Sequence, residues 1–151
     1  MKKIMILLVF TLLACRLRAQ VLQPVHWSYA AKKTGKNEAL ILLKATIDEG
    51  WHIYAADQLP GGPAKTSFNF TAAAEFSLAG KIKQPTPLTK YEKAFELQVR
   101  YFEKSVIFEQ KISLRQTGGK PVVVKGKLNY MVCNDHQCLP PEEVTFTIPV
   151  N

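Results

Sequence analysis

Residues 122–132 read Val-Val-Val-Lys-Gly-Lys-Leu-Asn-Tyr-Met-Val, and the run separates into two faces at a period of two. Val122, Val124, Leu128, Tyr130 and Val132 fall on one side, and Val123, Lys125, Lys127, Asn129 and Met131 on the other. A period of two is the geometry of a half-buried strand; a helix would scatter the same residues around its axis. Val144, Phe146, Ile148 and Val150 alternate with Thr145, Thr147 and Pro149 in the same way. Val106, Phe108, Ile112 and Leu114 share a face broken by one polar residue, Gln110. Glu38 to Ile47 is strand-like as well, although Leu40-Ile41-Leu42-Leu43 alone resembles a helical run.

Turn chemistry punctuates these runs. Lys33-Thr34-Gly35-Lys36-Asn37 is expected to link the first two strands, Asp48-Glu49-Gly50 to form a short turn, and Thr117-Gly118-Gly119-Lys120 a hairpin turn. About eight strands at short intervals predict an all-β, antiparallel sandwich. The longest helix candidate, Thr71 to Glu75, is one turn at most. Two long loops are expected, Ala55 to Lys65 with Pro60-Gly61-Gly62-Pro63, and Lys83 to Ala94 with Pro85 and Pro87. Long loops on a small sandwich are where binding tends to be placed.

The N-terminus is of another kind. Met1-Lys2-Lys3 precedes an apolar run from Ile4 to Ala14 and a short tail, Cys15-Arg16-Leu17-Arg18-Ala19-Gln20. This reads as a secretory signal peptide over residues 1–19, cut after Ala19, with residues 20–151 as the mature domain. The apolar run is too short to span a bilayer, which takes about 20 residues. Leu12-Leu13-Ala14-Cys15 offers the alternative of a lipoprotein anchored at Cys15, although the arginines that follow weaken it. Either way export to a compartment that permits disulfides is expected. The formal charge of +8 comes from 20 basic and 12 acidic residues. Losing Lys2, Lys3, Arg16 and Arg18 leaves 16 basic against 12 acidic, or +4, and nucleic acid drops out as a partner. Losing Cys15 leaves two cysteines, Cys133 and Cys138.

Those two cysteines sit in Tyr130-Met131-Val132-Cys133-Asn134-Asp135-His136-Gln137-Cys138-Leu139-Pro140-Pro141. Three readings are open. A structural disulfide closing about six residues contributes only about 2 kcal/mol by loop entropy. A redox pair needs two neighbouring thiols, at least one of them reachable, and a protonated His136 would favour a thiolate; an exposed loop histidine without a role is the alternative for His136. A metal site could draw on Cys133, Cys138, His136 and Asp135, but the usual structural zinc site uses two separate ligand pairs and only one is present. His52 would contribute only if the fold brought it near. The sequence contains no G-x-S-x-G, H-E-x-x-H or glycine-rich phosphate loop, which argues against an independent hydrolase.

The pattern Y-x-x-C-x-D-x-x-C-L-P-P over Tyr130 to Pro141 resembles the active-site loop of the N-terminal periplasmic domain of the thiol–disulfide interchange protein DsbD. Glu49-Gly50-Trp51-His52-Ile53-Tyr54 is similar to that family's acidic-Gly-aromatic turn, and Pro60-Gly61-Gly62-Pro63 and Ser105 to Leu114 follow in the family's order. The resemblance covers about residues 25–150. It implies an immunoglobulin-like sandwich, in agreement with the strand pattern. It also implies that Cys138 forms the mixed disulfide with a client and Cys133 resolves it. The family shields its cysteines with an aromatic cap loop. Tyr101 and Phe102 match the cap best, Tyr91 and Phe95 are rivals, and ordinary core packing is the alternative for each. Tyr54 matches a family tyrosine near the cysteines, and His52 replaces an aromatic there.

The resemblance thus implies a redox carrier rather than a turnover enzyme, with no cofactor or resident metal. Its reductant would be a membrane thiol reductase or a thioredoxin-like donor, supplied as a separate protein because the chain stops at Asn151. Its client would be a periplasmic disulfide-containing protein; nothing in the sequence says whether that is an isomerase or a cytochrome-maturation factor. A structural or partner-binding sandwich with an inert disulfide is the alternative, and a metal carrier a further one.

Overall fold

The computed structural model describes residues 22–93, 95–115 and 121–150. The segment 1–19, with Cys15, and the turn expected at Thr117–Lys120 lie outside the described residues. Among the described residues there are eleven strands and no helix: β1 Val25–Gly35, β2 Glu38–Ile47, β3 His52–Tyr54, β4 Ser67–Phe70, β5 Phe76–Leu78, β6 Leu88–Glu92, β7 Leu97–Phe102, β8 Ser105–Leu114, β9 Val122–Tyr130, β10 Val132–Cys133 and β11 Glu142–Val150. All of their pairings are antiparallel.

Three sheets result, in the orders β1-β2-β8-β5, β10-β3-β7-β6 and β11-β9-β4. The first forms one layer. Alternation along β2 and β8 buries Ala39, Ile41, Leu43, Ala45 and Ile47 beside Val106, Phe108 and Ile112. The polar break in that face, Gln110, is buried too, and its Nε2 donates to the carbonyls of Gly80 and Lys111. The facing side comes from the other two sheets. Val124, Leu128, Tyr130, Phe146 and Ile148 come from β9 and β11, and Ile53, Phe102 and Val132 from the sheet that contains β3.

Aromatic contacts join the layers. Trp27 of β1 meets Tyr130 at 5.6 Å between ring centroids, and Phe108 of β8 meets Phe68 at 4.9 Å and Phe102 at 5.8 Å. Offset and edge-to-face rings at these distances add to the stabilisation from area burial alone. The fold is an all-β antiparallel sandwich, as the alternation implies.

Several elements differ from their sequence reading. The run 122–132 is two strands rather than one. β9 ends at Tyr130 in the three-stranded sheet, and Val132 enters β10 in another sheet, so Met131 is the step between them. β1 runs on to Gly35 through a register shift, which narrows the first turn to Lys36–Asn37. Thr71–Glu75 makes no helical turn. The second long loop contains β6, an edge strand that begins directly after Pro87 and pairs only with β7; proline suits an edge or strand start, where no ladder donor is lost.

Candidate redox site at the rim of the small sheet

β3 is three residues long and wholly buried, because it lies between β10 and β7 with both faces covered. Ile53 points into the main core. His52 and Tyr54 leave by the other face, where a second, smaller cluster of Tyr54, Val99 and Cys133 is packed by Leu97, Tyr101 and Met131. The ladder registers explain this membership. Cys133 is the direct partner of His52, and Tyr54 of Tyr101. Leu97 and Val99 precede Tyr101 at a spacing of two, so they share its face.

The cysteine loop is a miniature hairpin. Cys133 and Cys138 are joined by a disulfide and form an isolated antiparallel bridge. The Asn134 amide donates to the Gln137 carbonyl at 2.9 Å, and the Leu139 amide to the Val132 carbonyl at 2.9 Å. Asn134 Oδ1 accepts from the amides of His136 and Gln137 at 2.9 and 2.8 Å, an Asx arrangement that holds the turn without neighbouring strands. Pro140 and Pro141 then lead into β11.

The two sulfur-bearing residues occupy different environments. Cys133 is 1% exposed inside the apolar cluster, and Cys138 is exposed. An incoming thiolate or disulfide therefore meets Cys138 first.

The cluster also contains unsatisfied polar atoms. His52 Nε2 and Tyr54 Oη are buried without a hydrogen-bond partner. The His52 ring stands edge-to-face against Tyr54 at 5.4 Å and Tyr101 at 5.2 Å. Burial, followed by the positive charge of Lys90, lowers the His52 pKa to about 4, against the opposing charges of Glu92 and Asp135. Burial, reinforced by Glu92, pushes the Tyr54 hydroxyl up to about 12. The imidazole and the phenol are thus both neutral near neutral pH.

The sequence-predicted residues fall into distinct places. Cys133, Tyr54 and Tyr101 share the small cluster, and His52 packs against its two tyrosines. Phe102 points the other way, into the main core against Phe108. Neighbouring strand residues point to opposite faces, so Tyr101 and Phe102 cannot both cover the cysteines. His136 is exposed on the hairpin turn. Of the rival cap residues, Tyr91 is 59% exposed on β6, and Phe95 is half-buried in the β6–β7 turn.

Sequence reasoning missed Val99, Leu97 and Met131, together with Lys90 and Glu92. Lys90 Nζ lies 5.3 Å from the Tyr101 ring centroid and 3.2 Å from Glu92. Leu97, Val99 and Tyr101 alternate along the chain, and that signal could have found them. The first long loop is pinned beside them. Gln58 exchanges two hydrogen bonds with the Arg100 backbone, at 2.9 and 3.0 Å, and the Arg100 guanidinium meets Asp57 at 2.7 Å. Gly62 lies so near Leu97 that an added Cβ would stand 3.3 Å from its Cδ1.

No three of the His, Cys, Asp and Glu side chains among the described residues are grouped to hold a metal ion. What the arrangement can do chemically is exchange one disulfide, with one sulfur reachable and the other shielded.

The profile of the family described as thiol:disulfide interchange protein DsbD, N-terminal, matches residues 18–149. The chain belongs to this family. Thiol–disulfide interchange is accordingly the chemistry of its relatives, and this chain carries one disulfide among its described residues, Cys133–Cys138.

Solved structures with the same fold include the N-terminal periplasmic domain of ScsB from Proteus mirabilis, with a TM-score of 0.60, 17% identity, and coverage of 89% of this chain and 49% of that one. The chain therefore spans about half the length of that ScsB structure. The reduced DsbD N-terminal domain of Neisseria meningitidis matches with a TM-score of 0.53 and 17% identity, covering 83% and 86% of the two chains. The complex between the DsbD and PilB N-terminal domains from the same organism matches with a TM-score of 0.54 and 15% identity, covering 85% and 87%. At these identities the likeness is one of fold, and the fold is immunoglobulin-like. No match is found among curated protein sequences.

Proposed function

We propose that the protein is an exported dithiol carrier that relays reducing equivalents through Cys133 and Cys138 to disulfides in periplasmic clients. The observation that carries this reading is the asymmetry of the pair, an exposed Cys138 bonded to a Cys133 that is 1% exposed. A membrane thiol reductase or a thioredoxin-like donor reduces the bridge. The Cys138 thiolate then attacks a client disulfide and forms a mixed disulfide. Cys133 attacks Cys138 Sγ, the internal bridge reforms, and the client leaves as a dithiol.

The small cluster around Cys133 shields the resolving sulfur from other thiols, and Tyr101 is its outer wall. The complex of the DsbD and PilB N-terminal domains in Neisseria meningitidis supports a protein partner docking on such a domain. Residues 1–19 direct export. The periplasmic ScsB domain of the same fold supports this location, and a lipid anchor at Cys15 is distinguished from simple cleavage by membrane partitioning of the mature protein.

A Cys133→Ala variant expressed in the periplasm should accumulate mixed disulfides through Cys138. Failure to trap any protein, together with a bridge potential well below about −300 mV, the range of inert structural disulfides, overturns the reading.

A further inference from the structure

His52 stands where the site's chemistry leaves a question open. It is the direct cross-strand partner of Cys133, so both side chains leave the ladder on one face, with Cβ atoms about 4.5–5.5 Å apart as in any directly opposed pair. It is 3% exposed, and its Nε2 has no hydrogen-bond partner while the disulfide is closed. An unpaired buried donor is destabilising, and cores rarely contain one without a reason. Its ring is held edge-on by Tyr54 and Tyr101, which limits the directions it can turn.

We propose that His52 is the hydrogen-bond donor that receives the Cys133 sulfur when the bridge opens. The inference deepens the carrier reading and rests on it for the resolving role of Cys133. In the closed bridge Cys133 Sγ carries no charge and needs no donor. Once Cys138 is bound to another sulfur, Cys133 must become a thiolate inside an apolar cluster before it can attack. The cluster's other unpartnered polar atom is Tyr54 Oη, and of the two residues it is His52 that stands directly opposite Cys133. With its proton on Nε2, His52 donates to that thiolate.

The attack forms the Cys133–Cys138 bond and breaks the bond from Cys138 to the foreign sulfur. The electron pair leaves with that sulfur, the Cys133 proton has gone to solvent, and His52 keeps its own proton throughout. The charged groups facing the imidazole are Lys90 and Glu92 from β6 and Asp135 from the cysteine loop, and the ionisable ones packed beside it are Tyr54 and Tyr101. In the closed bridge, burial and then Lys90 lower the imidazole pKa to about 4, so the ring enters the reaction neutral near neutral pH.

The test uses the reduced full-length mature protein mixed with 5,5′-dithiobis(2-nitrobenzoate). The first release of thionitrobenzoate reports attack by Cys138, and the second reports resolution by Cys133. His52→Phe is expected to leave the first phase at its wild-type rate, with an unchanged near-ultraviolet circular dichroism spectrum showing that it is folded. It should slow the second by about tenfold or more, the scale of one hydrogen bond to a charged atom. His52→Gln, which keeps a neutral donor, should restore most of the second phase. A second phase of wild-type rate in His52→Phe, or a loss in His52→Gln as large as in His52→Phe, overturns the proposal. If the carrier reading alone is wrong, the phases still differ as stated while Cys133→Ala traps no client. If only His52's role is wrong, clients are trapped and the phases do not differ.

Discussion

Tyr54 and Tyr101 are paired directly across β3 and β7, with Tyr54 fully buried and Tyr101 half-buried over the cysteine cluster. Tyr101 therefore separates Cys133 from solvent on the side of β7, and one residue further on Phe102 belongs to a different core. Tyr101→Ala is expected to speed reduction of the bridge by a small thiol such as dithiothreitol, with little change in folding stability. Phe102→Ala should do the reverse and destabilise by about 3–5 kcal/mol, as loss of a buried phenylalanine does. Paired rate and urea-unfolding measurements check both; faster reduction in Phe102→Ala alone would reverse the assignment of the two rings.

The bridge closes a short loop, so its thermodynamic weight is small. Reduction should lower stability by about 2 kcal/mol or less and leave the sandwich folded. Thermal unfolding with and without reductant reads this directly. A collapse of near-ultraviolet circular dichroism on reduction at room temperature contradicts it.

The His52 environment gives a pH dependence of definite sign. Its pKa in the folded protein is about 4, below the ordinary value of 6.5 that the unfolded chain retains. The unfolded state thus binds the extra proton more readily between those values. The stability is fully present above pH 6.5 and is lost as pH falls toward 4, by about 3 kcal/mol at most. Denaturant unfolding of the oxidised protein at a series of pH values should show this slope, and His52→Phe should flatten it.

Tyr54 acts at the other end of the scale. Its hydroxyl is raised to about 12, above the ordinary 10, so the folded state holds a proton that the unfolded state releases first. Stability is complete below pH 10 and declines as pH rises toward 12. Tyr54→Phe should soften that alkaline decline, as followed by tyrosinate absorbance together with unfolding.

Gly126 tests the packing of the β11-β9-β4 sheet, which contains no cysteine. It pairs with both Phe146 and Phe70, and a Cβ there would overlap the Asn69 carbonyl and the Phe146 ring. Gly126→Ala should destabilise by about 1–3 kcal/mol through overpacking. An unchanged unfolding midpoint would mean that β4 can move aside.

Much of this was legible in the sequence, for a simple reason. β8, β9 and β11 each cover one deep core, so apolar and polar residues alternate along them, and the buried faces read from the sequence are the ones found. The small sheet was harder to read. Both of its faces are used, one by the main core and one by the cysteine cluster, so His52-Ile53-Tyr54 shows no polar side. In β6, Lys90 and Glu92 share the face of the cluster and pair with each other, so its residues look like loop residues. The step at Met131 was hidden because Val132 continues the alternation of β9 while it joins another sheet. Two adjacent aromatics, Tyr101 and Phe102, invite reading as a unit, and strand geometry assigns them to opposite faces.

The Asx-capped hairpin confines the cross-link to a single turn. Opening or closing it alters no connection within the β1-β2-β8-β5 layer or between β9 and β11. If reduction leaves the sandwich folded, as predicted above, oxidation state and architecture vary independently, and a partner that tells the two states apart would do so by touch at one rim.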